Sequence, residues 1–127
     1  MRCESAPDVL VQEQPLLRIL HVEDEQIVAR SIAIVLRRDG YEVVSVASAE
    51  LAIEQLQAHR FDAVLSDFNL AGPGSGADVL WFAGPLPFVF LTGDDRADHY
   101  GVTRLDKPSS LAAIRDALDQ ALLTRSA

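Results

Sequence analysis

A single cysteine, Cys3, leaves no partner for an internal disulfide and no set of thiolates for a zinc site. Nowhere does an apolar run approach the ~20 residues that a bilayer-spanning helix needs. The first residues carry Asp8 and Glu13 and no compact apolar block, which excludes a secretory signal peptide. A soluble cytoplasmic protein is therefore expected. Basic residues are scarce: 11 Lys and Arg stand against 19 Asp and Glu, for a formal charge of −8. That balance argues against general nucleic-acid binding, which needs clustered Lys and Arg for phosphate contacts. What is present is a globular composition, 49% apolar and 24% charged, over 127 residues. That length suits one domain able to bury a core without staples.

Residues 1–15 read as an amino-terminal extension, polar and broken by Pro7 and Pro15, with one apolar patch at Val9–Val11. Such a stretch is either a disordered tail or a docked segment. Regular patterning begins at Leu16, where Leu16–Val22 predicts a strand that runs into Glu23-Asp24-Glu25. Val28, Ile32, Val35 and Leu36 then recur at helical spacing over Gln26–Arg38, and Gly40 follows as a stop. Tyr41–Ala47 is a second strand, and Ser48 caps a helix whose inner face is Ala49, Ala52, Ile53 and Leu56. Phe61–Leu65 is a third strand, followed by Ser66-Asp67 and a loop holding Gly72, Pro73, Gly74 and Gly76. A short helix over Ala77–Ala83, a strand over Pro87–Leu91, a strand over Val102–Asp106 and a last helix capped by Ser109 or Ser110 complete the pattern. Domain bounds of 16–124, with a tail at 125–127, follow.

Strands alternating with helices through short links give βαβ units, and hence a parallel sheet with helices on both faces. Four strand ends carry polar residues: Glu23-Asp24, Asp67, Thr92 and Lys107. In a parallel sheet all of these lie on one rim, where ligands of open α/β sheets bind. Taken singly, each residue has an ordinary use: Asp67 can form a turn, Thr92 can end a strand and Lys107 can pair with an acid. Taken together they describe a site. Three carboxylates crowd one another and call for a cation, and oxygen ligands with open positions suit Mg2+. Lysine and threonine beside them suit phosphoryl oxygens, and a carboxylate such as Asp67 can itself accept a phosphoryl group.

The motifs that carry these residues resemble the receiver domain of two-component response regulators, over nearly all of Leu16 to Leu123. Ile-Leu-His-Val-Glu-Asp-Glu at 19–25 is similar to the acidic pair after the first strand, and Asp67 with Asn69 and Leu70 to the phosphoacceptor loop. Leu-Thr-Gly at 91–93 is similar to the switch threonine, and Lys107-Pro108 to the family's lysine and its proline. The resemblance implies a doubly wound, five-stranded parallel sheet of order 2-1-3-4-5, the flavodoxin-like receiver fold. It implies that Asp67 takes a phosphoryl group from a sensor histidine kinase or a histidine phosphotransfer protein. Mg2+ would be held by Asp24, Glu23, Asp67 and the backbone carbonyl of Asn69. Thr92 and Lys107 would hold the phosphoryl oxygens, and the Lys107–Pro108 bond would be cis. A receiver of this kind transfers and loses its own phosphoryl group without being a turnover enzyme. It signals by binding a downstream protein, here as a stand-alone or excised receiver.

Three departures from the family pattern stand out. Thr92 and Lys107 are only fifteen positions apart, and the polar, glycine-bounded stretch between them shows no apolar face. The fourth helix is therefore expected to be absent or reduced to a turn. Its loss would uncover apolar surface on strands four and five, to be covered by Val9–Val11, by a second subunit in a homodimer, or by a partner. Arg104 stands where the family commonly has an aromatic residue, with Tyr100 nearby but off register, so coupling of Thr92 to a swinging ring cannot operate in its ordinary form. Ala71 replaces a common proline, and the glycines after Asp67 suggest one extra loop residue.

Two other readings compete. The same fold can serve as a pseudo-receiver, an interaction module that is never phosphorylated, although Glu23, Asp24, Asp67, Thr92 and Lys107 are all present. An aspartate-nucleophile phosphatase would carry Asp-x-Asp after its first strand, where this chain has Glu23-Asp24-Glu25. The stretch Gly72–Ala77 formally matches a nucleotide-binding glycine pattern but stands too far from its strand. His21, His59 and His99 have no ligand spacing, and Trp81 reads as a packing anchor.

Overall fold

The computed structural model describes residues 16–126. Its elements are β1 (Arg18–Val22), α1 (Gln26–Arg38), β2 (Glu42–Val46), α2 (Ala49–Ala58), β3 (Ala63–Ser66), α3 (Gly76–Ala83), β4 (Phe88–Leu91), a 3-10 helix (Asp95–Tyr100), β5 (Thr103–Leu105) and α4 (Leu111–Ser126). All strand pairs are parallel, in the order β2-β1-β3-β4-β5. This is the doubly wound order expected from the resemblance.

Strand alternation sends successive side chains to opposite faces, so one short strand serves two cores. Ile19, Ala63, Leu65, Val89 and Leu91 meet Ile32 and Leu36 of α1 and Ile114 and Leu118 of α4. Leu20, Val22, Val64, Phe88 and Phe90 meet Ala49 and Ala52 of α2 and Val79 and Ala83 of α3. Burial on both faces explains why the central strands read as unbroken apolar runs. Capping follows the sequence too. Ser48 accepts the Leu51 amide at 3.1 Å, Ser110 accepts that of Ala113 at 3.1 Å, and Ser75 with Asp78 forms a capping box at α3.

The strands are shorter than the sequence predicts. Phe61 is buried, yet it lies before the β3 ladder, because the chain there is still turning: the Asp62 amide donates to the Arg18 carbonyl at 2.7 Å. The last helix runs to Ser126, into the stretch set aside as a tail. Two larger corrections concern packing. Trp81 is no anchor: it is 82% exposed, since Val79 and Ala83 already fill the inner face of α3.

The segment before β5 does have an apolar face. A 3-10 helix brings residues three apart onto one side, and here these are Ala97, fully buried, and Tyr100. The Tyr100 ring lies 5.8 Å from that of Phe68 and 6.2 Å from that of Phe90. Phe88 and Phe90, the β4 residues on that face, are buried, and the apolar gap expected over β4 does not exist. The Val9–Val11 patch lies outside the described residues.

Candidate functional site

The carboxyl ends of β1, β3, β4 and β5 open onto one cleft of about 780 Å³, lined by Asp24, Asp67, Asn69, Thr92 and Lys107 among others. Asp67 follows the last residue of β3, and its amide extends the ladder by donating to the Val22 carbonyl at 3.0 Å. Its backbone is therefore fixed by the sheet, while its carboxylate looks out over the rim. One oxygen accepts the Asn69 amide at 3.2 Å, and the other accepts Lys107 Nζ at 2.8 Å.

Glu23 is almost wholly buried and receives the same ammonium at 2.6 Å, while its second oxygen accepts the Glu25 amide at 3.1 Å. Burial pushes the Glu23 carboxyl above its usual range, against the pull of Lys107. For Lys107, partial burial works to lower the ammonium's pKa, but the bonds to Asp67 and Glu23 outweigh it and the net shift is upward. Asp24 is the least buried of the three acids and accepts the Ala71 amide at 3.1 Å, which ties the β1 end to the loop beyond β3. Glu23, Asp24 and Asp67 each offer an oxygen within 4.8 Å of the others. One ammonium cannot balance three carboxylates, and an all-oxygen set of this kind fits a hard divalent cation such as Mg2+.

Thr92 is buried at the end of β4, its amide bonded to the Leu105 carbonyl at 2.9 Å and its hydroxyl accepting the Asp94 amide at 3.3 Å. Lys107 follows β5 closely and precedes a cis peptide bond to Pro108. The sheet thus brings Glu23, Asp24, Asp67, Thr92 and Lys107 to one place, and Asn69 lines the same cleft.

Sequence reasoning missed a second group at the lip of the cleft. Asn69 Nδ2 donates to Asp94 at 3.0 Å, and Arg96 clasps the same carboxylate through Nε and Nη2. The Arg96 guanidinium also lies 5.6 Å from the Phe68 ring centroid. Bonds from Arg96 first, then from Asn69, hold the Asp94 carboxyl well below the usual range. One signal was legible: an Asp directly before a helix reads as its cap, and Asp94 does accept the Arg96 amide at 3.0 Å. Behind the site, His21 is buried in β1, where desolvation and the Lys107 charge lower its pKa to about 4.

The chain matches the family model described as response regulator receiver domain over residues 19–119. Among solved structures it is similar to a response regulator receiver protein from Sinorhizobium medicae, at 27% identity and a TM-score of 0.80, covering 87% of this chain and 97% of that one. It is similar also to the receiver domain of a sensor histidine kinase from Pseudomonas aeruginosa, with magnesium coordinated in the active-site cleft, at 26% identity and a TM-score of 0.77 over 85% and 98% of the two chains. The receiver domain of the hybrid histidine kinase CckA is 34% identical, with a TM-score of 0.68 over 83% and 98%. No curated protein matches the chain. Among the described residues, no helix is long and apolar enough to cross a membrane.

Proposed function

We propose, from the premise that this chain belongs to the response regulator receiver domain family, that it accepts a phosphoryl group on Asp67 from a phosphohistidine donor and signals through protein contacts. The observation that carries this reading is the sharing of Lys107 Nζ between Asp67 and Glu23, at 2.8 and 2.6 Å, inside an open cleft. A lysine placed there serves a carboxylate that is to carry further negative charge.

In the proposed step the Asp67 carboxylate oxygen that accepts from Lys107 attacks phosphorus while the bond from phosphorus to the donor's imidazole nitrogen breaks. The electron pair leaves with the imidazole, which takes up a proton. Lys107 keeps its charge beside the new acyl phosphate, and the Thr92 hydroxyl, now accepting from the Asp94 amide, donates to a phosphoryl oxygen. The Asn69 amide holds the second Asp67 oxygen and so orients the carboxylate. Glu23, Asp24, Asp67 and the backbone carbonyl of Asn69 would hold Mg2+, which supplies charge neutralisation when bound. Water later hydrolyses the acyl phosphate, so the domain acts once per phosphoryl group and is not a turnover enzyme. Histidine kinases and phosphotransfer proteins are the donors that receivers use in general.

Incubation with acetyl phosphate and Mg2+, read by intact mass, tests the reading. The native chain should gain one phosphoryl group and Asp67→Asn none. An unmodified native chain that still binds Mg2+ would refute phosphoacceptance and favour a pseudo-receiver.

A further inference from the structure

Asn69 and Asp94 each act twice at the cleft. The main-chain amide of Asn69 holds one oxygen of the Asp67 carboxylate at 3.2 Å, and that of Asp94 holds the Thr92 hydroxyl at 3.3 Å. Their side chains then meet, Asn69 Nδ2 donating to Asp94 at 3.0 Å. Because β3 and β4 are neighbours in the sheet, a closed circuit results, from Asp67 to Asn69, across to Asp94 and back to Thr92. The two groups that would flank a phosphoryl group are thus tied at the back by the ladder and at the front by side chains.

Arg96 locks the front of that circuit. Its Nε lies 3.0 Å from one Asp94 oxygen and its Nη2 2.5 Å from the other, and Nη2 reaches on to Asn69 Oδ1 at 3.4 Å. The guanidinium also lies 5.6 Å from the ring centroid of Phe68, the residue between Asp67 and Asn69. Capping of the 3-10 helix accounts for the Arg96 amide, which Asp94 accepts at 3.0 Å. It does not require the side chain to hold both loops. Stability is no better a reason, since the Arg96 side chain is 68% exposed and exposed ion pairs contribute little. What a planar guanidinium does supply is a fixed geometry for the groups it bonds.

We propose that Arg96 is a positioning residue for phosphoryl transfer, setting the spacing of Asp67 and Thr92 through the Asn69–Asp94 pair without itself touching the phosphoryl group. The proposal rests on Asp67 being the phosphoacceptor. Gain of the phosphoryl group and its loss to water both need phosphorus held between Asp67 and Thr92, so Arg96 serves both steps.

The native chain, Arg96→Ala and Arg96→Lys are to be phosphorylated with acetyl phosphate and Mg2+ over a range of donor concentrations and followed by intact mass. Hydrogen exchange of the Asn69 and Asp94 amides, read without donor, reports on the clasp itself. Arg96→Ala should lower the saturating rate, and the rate of hydrolysis, on the order of tenfold. The half-saturating donor concentration and the melting temperature should not change, and both amides should exchange faster. Arg96→Lys keeps the charge but not the fork, so it should behave as Arg96→Ala does. Equal saturating rates in the native chain and Arg96→Ala would overturn the proposal. Full recovery in Arg96→Lys would do so as well, because attraction of the anionic donor by charge would then explain the effect. Either failure leaves phosphoacceptance standing, whereas a native chain that takes no phosphoryl group would remove both readings together.

Discussion

Arg104 Nη1 donates to the main-chain carbonyl of Thr92 at 3.1 Å, while its Nε holds Asp98 of the 3-10 helix at 2.7 Å. The same guanidinium reaches Asp106 at 2.6 Å. Bonds to Asp98 first, then to Asp106, raise the pKa of Arg104 further above its already high value. A charged tether thus stands where the resemblance would place a movable aromatic ring. It joins the β4 end to the segment before β5, so that one side chain bonds both Thr92 and Asp98.

Arg104→Ala should cut that tether while leaving Glu23, Asp24 and Asp67, which it does not bond, in place. Hydrogen exchange of amides 95–101 should quicken in the variant. Phosphorylation should alter exchange there in the native chain and leave the variant nearly unchanged. Equal responses in both would show that the signal leaves Thr92 by another route.

Lys107→Ala leaves buried Glu23 facing Asp67 with no cation between them. Unpairing a buried charge costs about 3–5 kcal/mol, but Lys107 is partly exposed, and solvent screening reduces the expected loss to roughly 2 kcal/mol. Because the acids stay in place, Mg2+ should raise the melting temperature of the variant more than that of the native chain. Thermal unfolding with and without Mg2+ checks both statements, and labelling should show phosphorylation sharply reduced.

Gly76→Ala tests how closely α3 approaches the site. A Cβ there would lie 2.3 Å from the Asp67 carbonyl oxygen and 2.8 Å from both Phe68 Cα and Phe90 Cε1. Backbone must therefore move, and overpacking of this kind costs roughly 3 kcal/mol. Denaturant unfolding should report that loss, together with slower phosphorylation as Asp67 is displaced.

His21 gives a stability that depends on pH. Its folded-state pKa is lowered from 6.5 to about 4, so between those values the unfolded chain binds a proton that the folded chain refuses. Stability from this group is complete above pH 6.5 and falls as pH drops towards 4, by roughly 3 kcal/mol in all. Glu23, whose pKa is raised, works in the opposite direction, so comparison with a variant isolates the histidine. His21→Phe should flatten the slope of unfolding free energy between pH 6.5 and 4; an unchanged slope would refute this.

Much of the fold was legible because it rests on local pattern. The helix at Gln26–Arg38 follows from apolar residues at a period of 3.6, and the strands follow from short apolar runs bounded by polar ends. The site was legible for a related reason: a parallel sheet collects its strand ends on one rim, so Glu23, Asp24, Asp67, Thr92 and Lys107 could be placed together from topology alone. Ala97 and Tyr100 were missed because their spacing is three, which a search for a period of 3.6 passes over. The exposure of Trp81 was invisible, since hydrophobicity says what a side chain prefers and not whether Val79 and Ala83 have already filled the inner face. The clasp of Asn69, Asp94 and Arg96 joins two loops across the cleft, and no pattern along the chain records such a meeting.

The 3-10 helix bears on length. At about 2.0 Å per residue its six residues span about 12 Å, as much as eight residues of α-helix. The link from β4 to β5 is thus short in sequence without being short in space. Loops elsewhere absorb insertions and deletions through slack. Here Ala97 and Tyr100 are seated against Phe68 and Phe90, so adding or removing a single residue would unseat one of these contacts. The number of residues in this segment therefore matters to its packing as much as their identity does.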